Sequence, residues 1–457
     1  MDRRRIVRAA LGGVVVVAAA FLLFSFVSAA MGSGATASVA AAQYEKPLAE
    51  REPIVPPSSG VTVVTGQGFG GGNAMIAFGP QGRVLYHENR HDGYFDVDPS
   101  PRGDMTVTVV TSDAISAAAC NATLKCQRDV VTRINMTTGE RERLHTVVAP
   151  QRSSEKTHDA DVIGRHRLLV GGLPYDRVYV VNTTTGIVEW QWSVDTALPR
   201  SSGNGGAGWP KDWTHLNDVE RLPDGRYMVS LRNQDRVVFV DPKTGMQPGW
   251  TLGGEDEYSI LYEQHNPDYI PASRGGPAVL VADSHNNRIV EYQRANGSWK
   301  RTWTWTDERM KWPRDADRLP NGNTLIVDTS GDRVLEVNQS GGIVWQFEAD
   351  SLYDAERLGT GDESAGGRAA SALDLPSRTA GERVDEASGP LGTVKDALRK
   401  VIPQKTRNAV AFVLPGWIWW SELFAIAFAL GAGAVWAVLE VYWRDLRPQV
   451  RWPVYFE

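Results

Sequence analysis

Two octapeptides, DVERLPDG at 218–225 and DADRLPNG at 315–322, are near copies of each other. The frame they set recurs as DVDPSPRGDMTVTVV from 96, DVIGRHRLLVGG from 161, DYIPASRGGPAVLVADS from 268 and, cut short, DAERLGTGD from 354. A unit repeated along a chain is one supersecondary element that cannot bury its apolar face alone, so the copies must stack side by side. Within each unit an Asp opens a short strand, then come a turn with Gly, an apolar strand, Asn or Asp, a third strand, a second Gly turn and a Trp-bearing strand. DRVVFVDPKTGMQPGWTLG, DRVYVVNTTTGIVEWQW, NRIVEYQRANGSWKRTWTW and DRVLEVNQSGGIVWQF are the later halves of four such units. Four short antiparallel strands in a repeat of roughly 40 to 65 residues make a propeller blade.

The six frames open at Asp96, Asp161, Asp218, Asp268, Asp315 and Asp354. The last lacks its later strands, while VTVVT (61–65), NAMIAFG (73–79) and RVLYHEN (83–89) precede the first full unit and read as such strands. Pairing these with the Asp354 strand closes the ring and removes its free edges. The expected fold class is therefore all-β, a six-bladed β-propeller over residues 60–375. The glycine-rich run TGQGFGGGNA (65–74) has no Lys-Ser/Thr after it and reads as a turn, not a phosphate loop.

Two apolar runs flank this body. After the basic residues 1–8, residues 9–31 form the first, read either as a retained transmembrane helix or as a signal peptide. SFVSAAMGSGA offers small residues for cleavage, and RRRIVR loosely resembles the twin-arginine export signature. Residues 409–443 form the second, bordered by PGWIWW and by Trp443, with Arg444, Arg447 and Arg451 in the tail 444–457. That pattern puts the tail in the cytoplasm and the propeller outside the cell membrane, joined by linkers at 32–59 and 376–408, the latter with a short helix near 392–401. Five Asn-x-Ser/Thr sequons, at Asn121, Asn135, Asn182, Asn296 and Asn338, agree with an extracellular, glycosylated body. So do the chain's two cysteines, Cys120 and Cys126, which an oxidising compartment would let close a small ring, two free thiols being the alternative. A net charge of −6 with both signs interspersed leaves no basic field for nucleic acid.

Inner strands of a propeller line its central channel. Three residues before each framing Asp stand Gly93, His158, His215, His265, Trp312 and Ser351, so three of the chain's eight histidines would meet near the axis. A second inward position, after the turn, holds Arg232, His285 and Ser330 in SLRNQD, DSHNNR and DTSGDR. An arginine among histidines suits an oxyanion. Trp209, Trp213, Tyr262 and Trp312 are candidates to hold an aryl ring, with core packing as the plainer reading.

DWTHLNDV, MVSLRNQD and YEQHNPDYI, in that order, resemble the arylsulfate sulfotransferases, six-bladed enzymes that move a sulfuryl group between phenols without a nucleotide donor or other cofactor. The resemblance covers roughly residues 60–375. It implies His265 as the covalent nucleophile and His215, Asn217 and Arg232 as sulfuryl-binding and acid/base groups, with His158 as a further catalytic histidine and Trp312 and His285 toward the substrate. An aryl sulfate donor and a phenolic or other hydroxyl acceptor are the implied partners, and reaction proceeds by turns through a sulfohistidine. The chain departs from the bacterial pattern in lacking an N-terminal β domain and in its C-terminal apolar segment. Two other readings stand beside this one: a zinc triad of the three histidines, disfavoured by Arg232, and a non-catalytic, membrane-tethered binding or assembly propeller, which DSHNNRIVEY, similar to NHL-type repeats, also fits.

Overall fold

The computed structural model describes residues 3–31, 33–67, 73–150, 156–203, 206, 208–361, 366–379 and 420–444. Half of the glycine-rich turn, the helix expected near 392–401, the first residues of the second apolar run and most of the tail lie outside them. The chain divides into two compact units, one of residues 1–32 and 413–457 and one of residues 33–412.

The larger unit is a six-bladed propeller, each blade a sheet of four short antiparallel strands, with a fifth short strand in blade 4. Blade 1 is composite: the inner strand Leu352–Arg357 pairs with Thr62–Gly66, so strands from the two ends of the repeat region close the ring as expected. Blades 2 to 6 take their inner strands from Gly93–Pro99, Val162–Gly164, Leu216–Arg221, His265–Ile270 and Pro313–Arg318. The fourth strand of blade 4 is broken into Gly245–Met246 and Leu252–Gly253 around a turn, Pro248–Trp250, because Pro248 has no N–H for the ladder. Apolar residues of neighbouring blades interleave, as where Leu169 and Val180 of blade 3 pack with Leu216, Val229 and Val240 of blade 4.

Between three pairs of neighbouring blades framing aspartates act as latches. The carboxylate of Asp354 accepts the backbone N–H of Val97 at 2.7 Å, that of Asp96 the N–H of Ala160 at 3.3 Å, and that of Asp159 the N–H of Val219. Each latch falls one residue past the framing position of the next blade. This identifies the framing residue of blade 3 as Asp159, not Asp161, and the ladder agrees: Gly171 N–H bonds to Asp159 C=O where blade 4 pairs Ser230 with Asp218. The sequence frame slid by two because HDADV holds two aspartates on the same face of a strand, and alternation cannot choose between them.

The stretch read as a linker before the propeller contains a helix, Ser33–Tyr44, whose Tyr44 packs edge-on against Tyr86 of blade 1. Cys120 and Cys126 form a disulfide. In the smaller unit, helices Arg3–Met31 and Trp420–Trp443 lie antiparallel, both long and apolar enough to cross a membrane. Arg8 donates to Glu440 at 3.0 Å near one end, and Ser25 to Glu422 at 2.9 Å near the other.

Candidate functional site

With Asp159 in the frame, two rings of side chains face the axis. Three residues before the framing Asp stand Gly93, Lys156, His215, His265, Trp312 and Ser351; one residue before it stand Phe95, His158, Asn217, Pro267, Arg314 and Tyr353. His158 thus belongs to the second ring, not the first, yet its imidazole still meets that of His215, with ring centroids 5.2 Å apart. His215, Trp312 and Ser351 share left-handed backbone, with φ of 45°, 52° and 57°. A side chain with a Cβ gains nothing locally from that conformation, which costs on the order of 1 kcal/mol, so the surrounding fold imposes this turn at the mouth of the inner strand.

His265 is 1% exposed, His158 6% and His215 8%. Burial pushes the imidazoles of His158 and His265 well below the ordinary range, and the nearby Arg314 and Arg232 guanidinium groups add to it. For His215, burial and Arg232 outweigh Asp212, whose carboxylate lies 2.8 Å from Nδ1. All three rings are held neutral.

His265 Nδ1 lies 2.8 Å from Ser284 Oγ, and Oγ is 3.3 Å from the carbonyl of Ala282. A hydroxyl has one hydrogen; given to the carbonyl, it leaves Oγ to act toward the imidazole as an acceptor. Oγ then accepts from Nδ1–H, which leaves the Nε2 lone pair of His265 free as a nucleophile. Asn217 holds the same segment from blade 4, donating Nδ2–H to the carbonyl of Gln264 at 2.9 Å while its buried Oδ1 has no partner.

Arg232 and His285 do not occupy equivalent places. Strand pairs Leu231 with Arg236, Asp283 with Arg288 and Asp328 with Arg333 align Arg232 with Ser284 and Thr329, one residue earlier than expected. Both side chains converge instead on Glu263, which the sequence reading passed over: Arg232 Nη2 donates to its Oε2, and His285 Nε2 lies 3.0 Å from the same oxygen. Burial pushes the Glu263 carboxyl up, but Arg232 and His285 outweigh it and hold it at about 2. The positive charge of Arg232 is therefore matched within the protein.

Arg314 and Tyr353 were also missed. Both stand one residue before a framing Asp, where no motif marks them. Of the aromatic candidates, Trp213 is fully buried in the packing between blades 3 and 4 and donates to Ser202 C=O at 2.8 Å, so it is a core residue. Trp209 is exposed, with the Arg200 guanidinium 4.0 Å over its ring. Tyr262, His285 and Trp312 form a stack, the imidazole 4.8 Å from one ring and 5.1 Å from the other. Among the described residues no three of His, Cys, Asp and Glu are grouped as metal ligands.

The family model for arylsulfotransferase (ASST) matches residues 62–350, which takes in all the blades except the inner strand of blade 1. The chain belongs to the arylsulfotransferase family. This family member also matches outer membrane protein assembly factor BamB of Bordetella pertussis at 26% identity over 148 residues, 32% of this chain and 36% of that protein, so it spans about a third of that relative's length. Among solved structures, a protein of unknown function from Bacteroides caccae aligns at 13% identity and a TM-score of 0.46, covering 65% of the arylsulfotransferase chain and 98% of its own. A periplasmic gluconolactonase from Pseudomonas aeruginosa aligns at 13% and 0.39, covering 66% and 99%. Family membership supports a sulfotransferase-type function, and the two apolar helices are candidate membrane anchors.

Proposed function

We propose that this arylsulfotransferase is a membrane-anchored, outward-facing enzyme that transfers a sulfuryl group from an aryl sulfate ester to a phenolic or other hydroxyl acceptor through a sulfohistidine at His265. The observation that carries this reading is the Ser284 contact, which leaves a neutral imidazole with its Nε2 lone pair free. In the first half-reaction Nε2 bonds to sulfur as the S–O bond to the aryl group breaks. The aryl group leaves as its phenolate and takes its proton from solvent; since phenols ionise near about 10, departure needs no acid from the neutral His158 or His215. In the second, the acceptor oxygen bonds to sulfur, the N–S bond breaks, and the neutral imidazole of His158 or His215 takes the acceptor's proton. The stack of Tyr262, His285 and Trp312 offers aromatic faces for the aryl ring.

The likeness to an assembly factor favours a second reading, a tethered propeller that binds or assembles without turnover. One experiment separates the two. Intact mass of the detergent-solubilised protein after brief incubation with p-nitrophenyl sulfate, read with release of p-nitrophenol, gains one sulfuryl group in the enzyme and loses that gain in His265→Ala. A folded wild-type protein that neither gains mass nor releases phenol from any of several aryl sulfates is the tethered module.

A further inference from the structure

Five arginines of this propeller are buried to 8% exposure or less, in strands of blades 2, 6 and 1, and four of them have a carboxylate, Arg133 that of Glu142 at 2.6 Å. Arg318 bonds to Glu291 at 3.2 Å, Arg333 to Asp328 at 2.8 Å and Arg357 to Glu336 at 3.0 Å. Arg314, 8% exposed, has none: among the described residues it makes no ion pair, and its Nε and Nη1 have no hydrogen-bond partner. A guanidinium taken out of water without a counter-ion is among the most expensive arrangements a fold can hold. Its neighbours share the deficit. Its guanidinium carbon lies 5.1 Å from the Tyr353 ring and 5.7 Å from the Trp312 ring. Tyr353 is 1% exposed with an unpartnered hydroxyl. His158, 5.5 Å from Tyr353 between ring centroids, has an unpartnered Nδ1. Asp96 and Asp354 are engaged elsewhere, in latches to neighbouring blades.

We infer that Arg314, with Tyr353 and His158, forms the anion socket of this site and supplies the positive charge that binds the ligand, while Arg232 is a positioning residue held on Glu263. The ligand class is a tetrahedral oxyanion, whose several acceptor oxygens suit unpartnered N–H and O–H donors gathered from three blades. That this oxyanion is the sulfuryl end of an aryl sulfate rests on the function proposed above. The socket differs from that reading in placing the charge on the blade 6 residue that aligns with Asn217, and not on the arginine of the Ser-Leu-Arg motif.

The test uses the full detergent-solubilised chain with His265→Ala as background, so that bound ester is not consumed. Calorimetry measures p-nitrophenyl sulfate, inorganic sulfate and, at a pH below its ionisation, neutral p-nitrophenol, against the background and against Arg314→Gln and Arg314→Lys added to it. Arg314→Gln is expected to weaken the ester by about ten- to a hundredfold, to abolish sulfate binding and to leave the neutral phenol within about twofold, with Arg314→Lys between. Free of ligand, Arg314→Gln should melt no lower than its parent, since an unmatched buried charge has been removed. Four results overturn the socket: unchanged ester affinity in Arg314→Gln, equal loss of ester and neutral phenol, a clear drop in melting temperature without ligand, or a background protein that binds neither ester nor sulfate. Failure of the enzymatic reading is distinguishable, because a wild-type protein that forms no sulfuryl adduct yet binds the ester through Arg314 keeps the socket and loses the reaction.

Discussion

Ser284 stands just past the end of the neighbouring strand Ala278–Asp283 in the blade of His265, and its hydroxyl lies 2.8 Å from Nδ1 of that imidazole, where it can accept the Nδ1 proton. Removing it leaves Nδ1 without its acceptor and lets the ring turn or exchange tautomers. Ser284→Ala is expected to slow the burst of p-nitrophenol release by about tenfold, with ester affinity unchanged. Stopped-flow absorbance of the first turnover measures the rate, and a burst as fast as wild type would detach the serine from the chemistry.

Because burial and the nearby guanidinium groups depress His265, its free-base form persists at acid pH. The burst is expected to stay level from pH 8 down through the ordinary histidine range near about 6.5 and to fall only below it. Burst amplitude and rate across pH 4.5 to 8 check this; a decline centred near 6.5 would mean that His265 titrates like a solvated imidazole.

Glu263 is the common anchor of Arg232 and His285. Glu263→Gln should destabilise the folded protein by roughly 1–3 kcal/mol at neutral pH, because it strips the partner from a largely buried guanidinium. Its folded carboxyl ionises at about 2, below the ordinary 4.5. A lowered acid stabilises above its unfolded value and loses that contribution as pH falls toward the folded one. The gap in thermal stability between wild type and Glu263→Gln is therefore expected to hold above pH 4.5 and to narrow as pH falls below it.

Asp268 carries the opposite sign. Burial pushes its carboxyl up to about 7 against the pull of Arg274. A raised acid favours the fold fully below its unfolded value and loses that as pH rises through the folded one. Asp268→Asn should thus gain on wild type between pH 4 and 7 and hold its advantage, roughly 1–3 kcal/mol, above that. Differential scanning at a series of pH values reads the crossover, and a gap independent of pH would place the Asp268 carboxyl in water.

The ring was legible in the sequence because its repeat is written in the residues that join blade to blade. Asp354, Asp96 and Asp159 each take the next blade's N–H, and the short Asp354 frame announced the composite blade that closes the circle. What failed was resolution finer than the repeat. HDADV offers two aspartates of one parity, so the frame of blade 3 slid and Lys156 was overlooked in favour of His158, which reaches the same place from the adjoining ring. Glu263 and Arg314 carry no motif of their own: each matters for whether it has a partner, and partnership across blades is written in three dimensions only. The helix Ser33–Tyr44 was hidden by a small-residue run that reads equally as tether.

The composite blade also sets where the circle is weakest. Its inner strand and its outer three come from opposite ends of the repeat region, so it is a seam held by a single strand pairing, Leu352–Arg357 against Thr62–Gly66. His158, His215, His265 and Arg314 sit on four consecutive blades that the chain lays down without interruption, and Arg232 stands on the blade opposite the seam. Fraying at the join would loosen Tyr353, and with it the His158 and Arg314 side of the site, before it reached His215 and His265, so the molecule would let go of its ligand's charge before it disturbed the nucleophile.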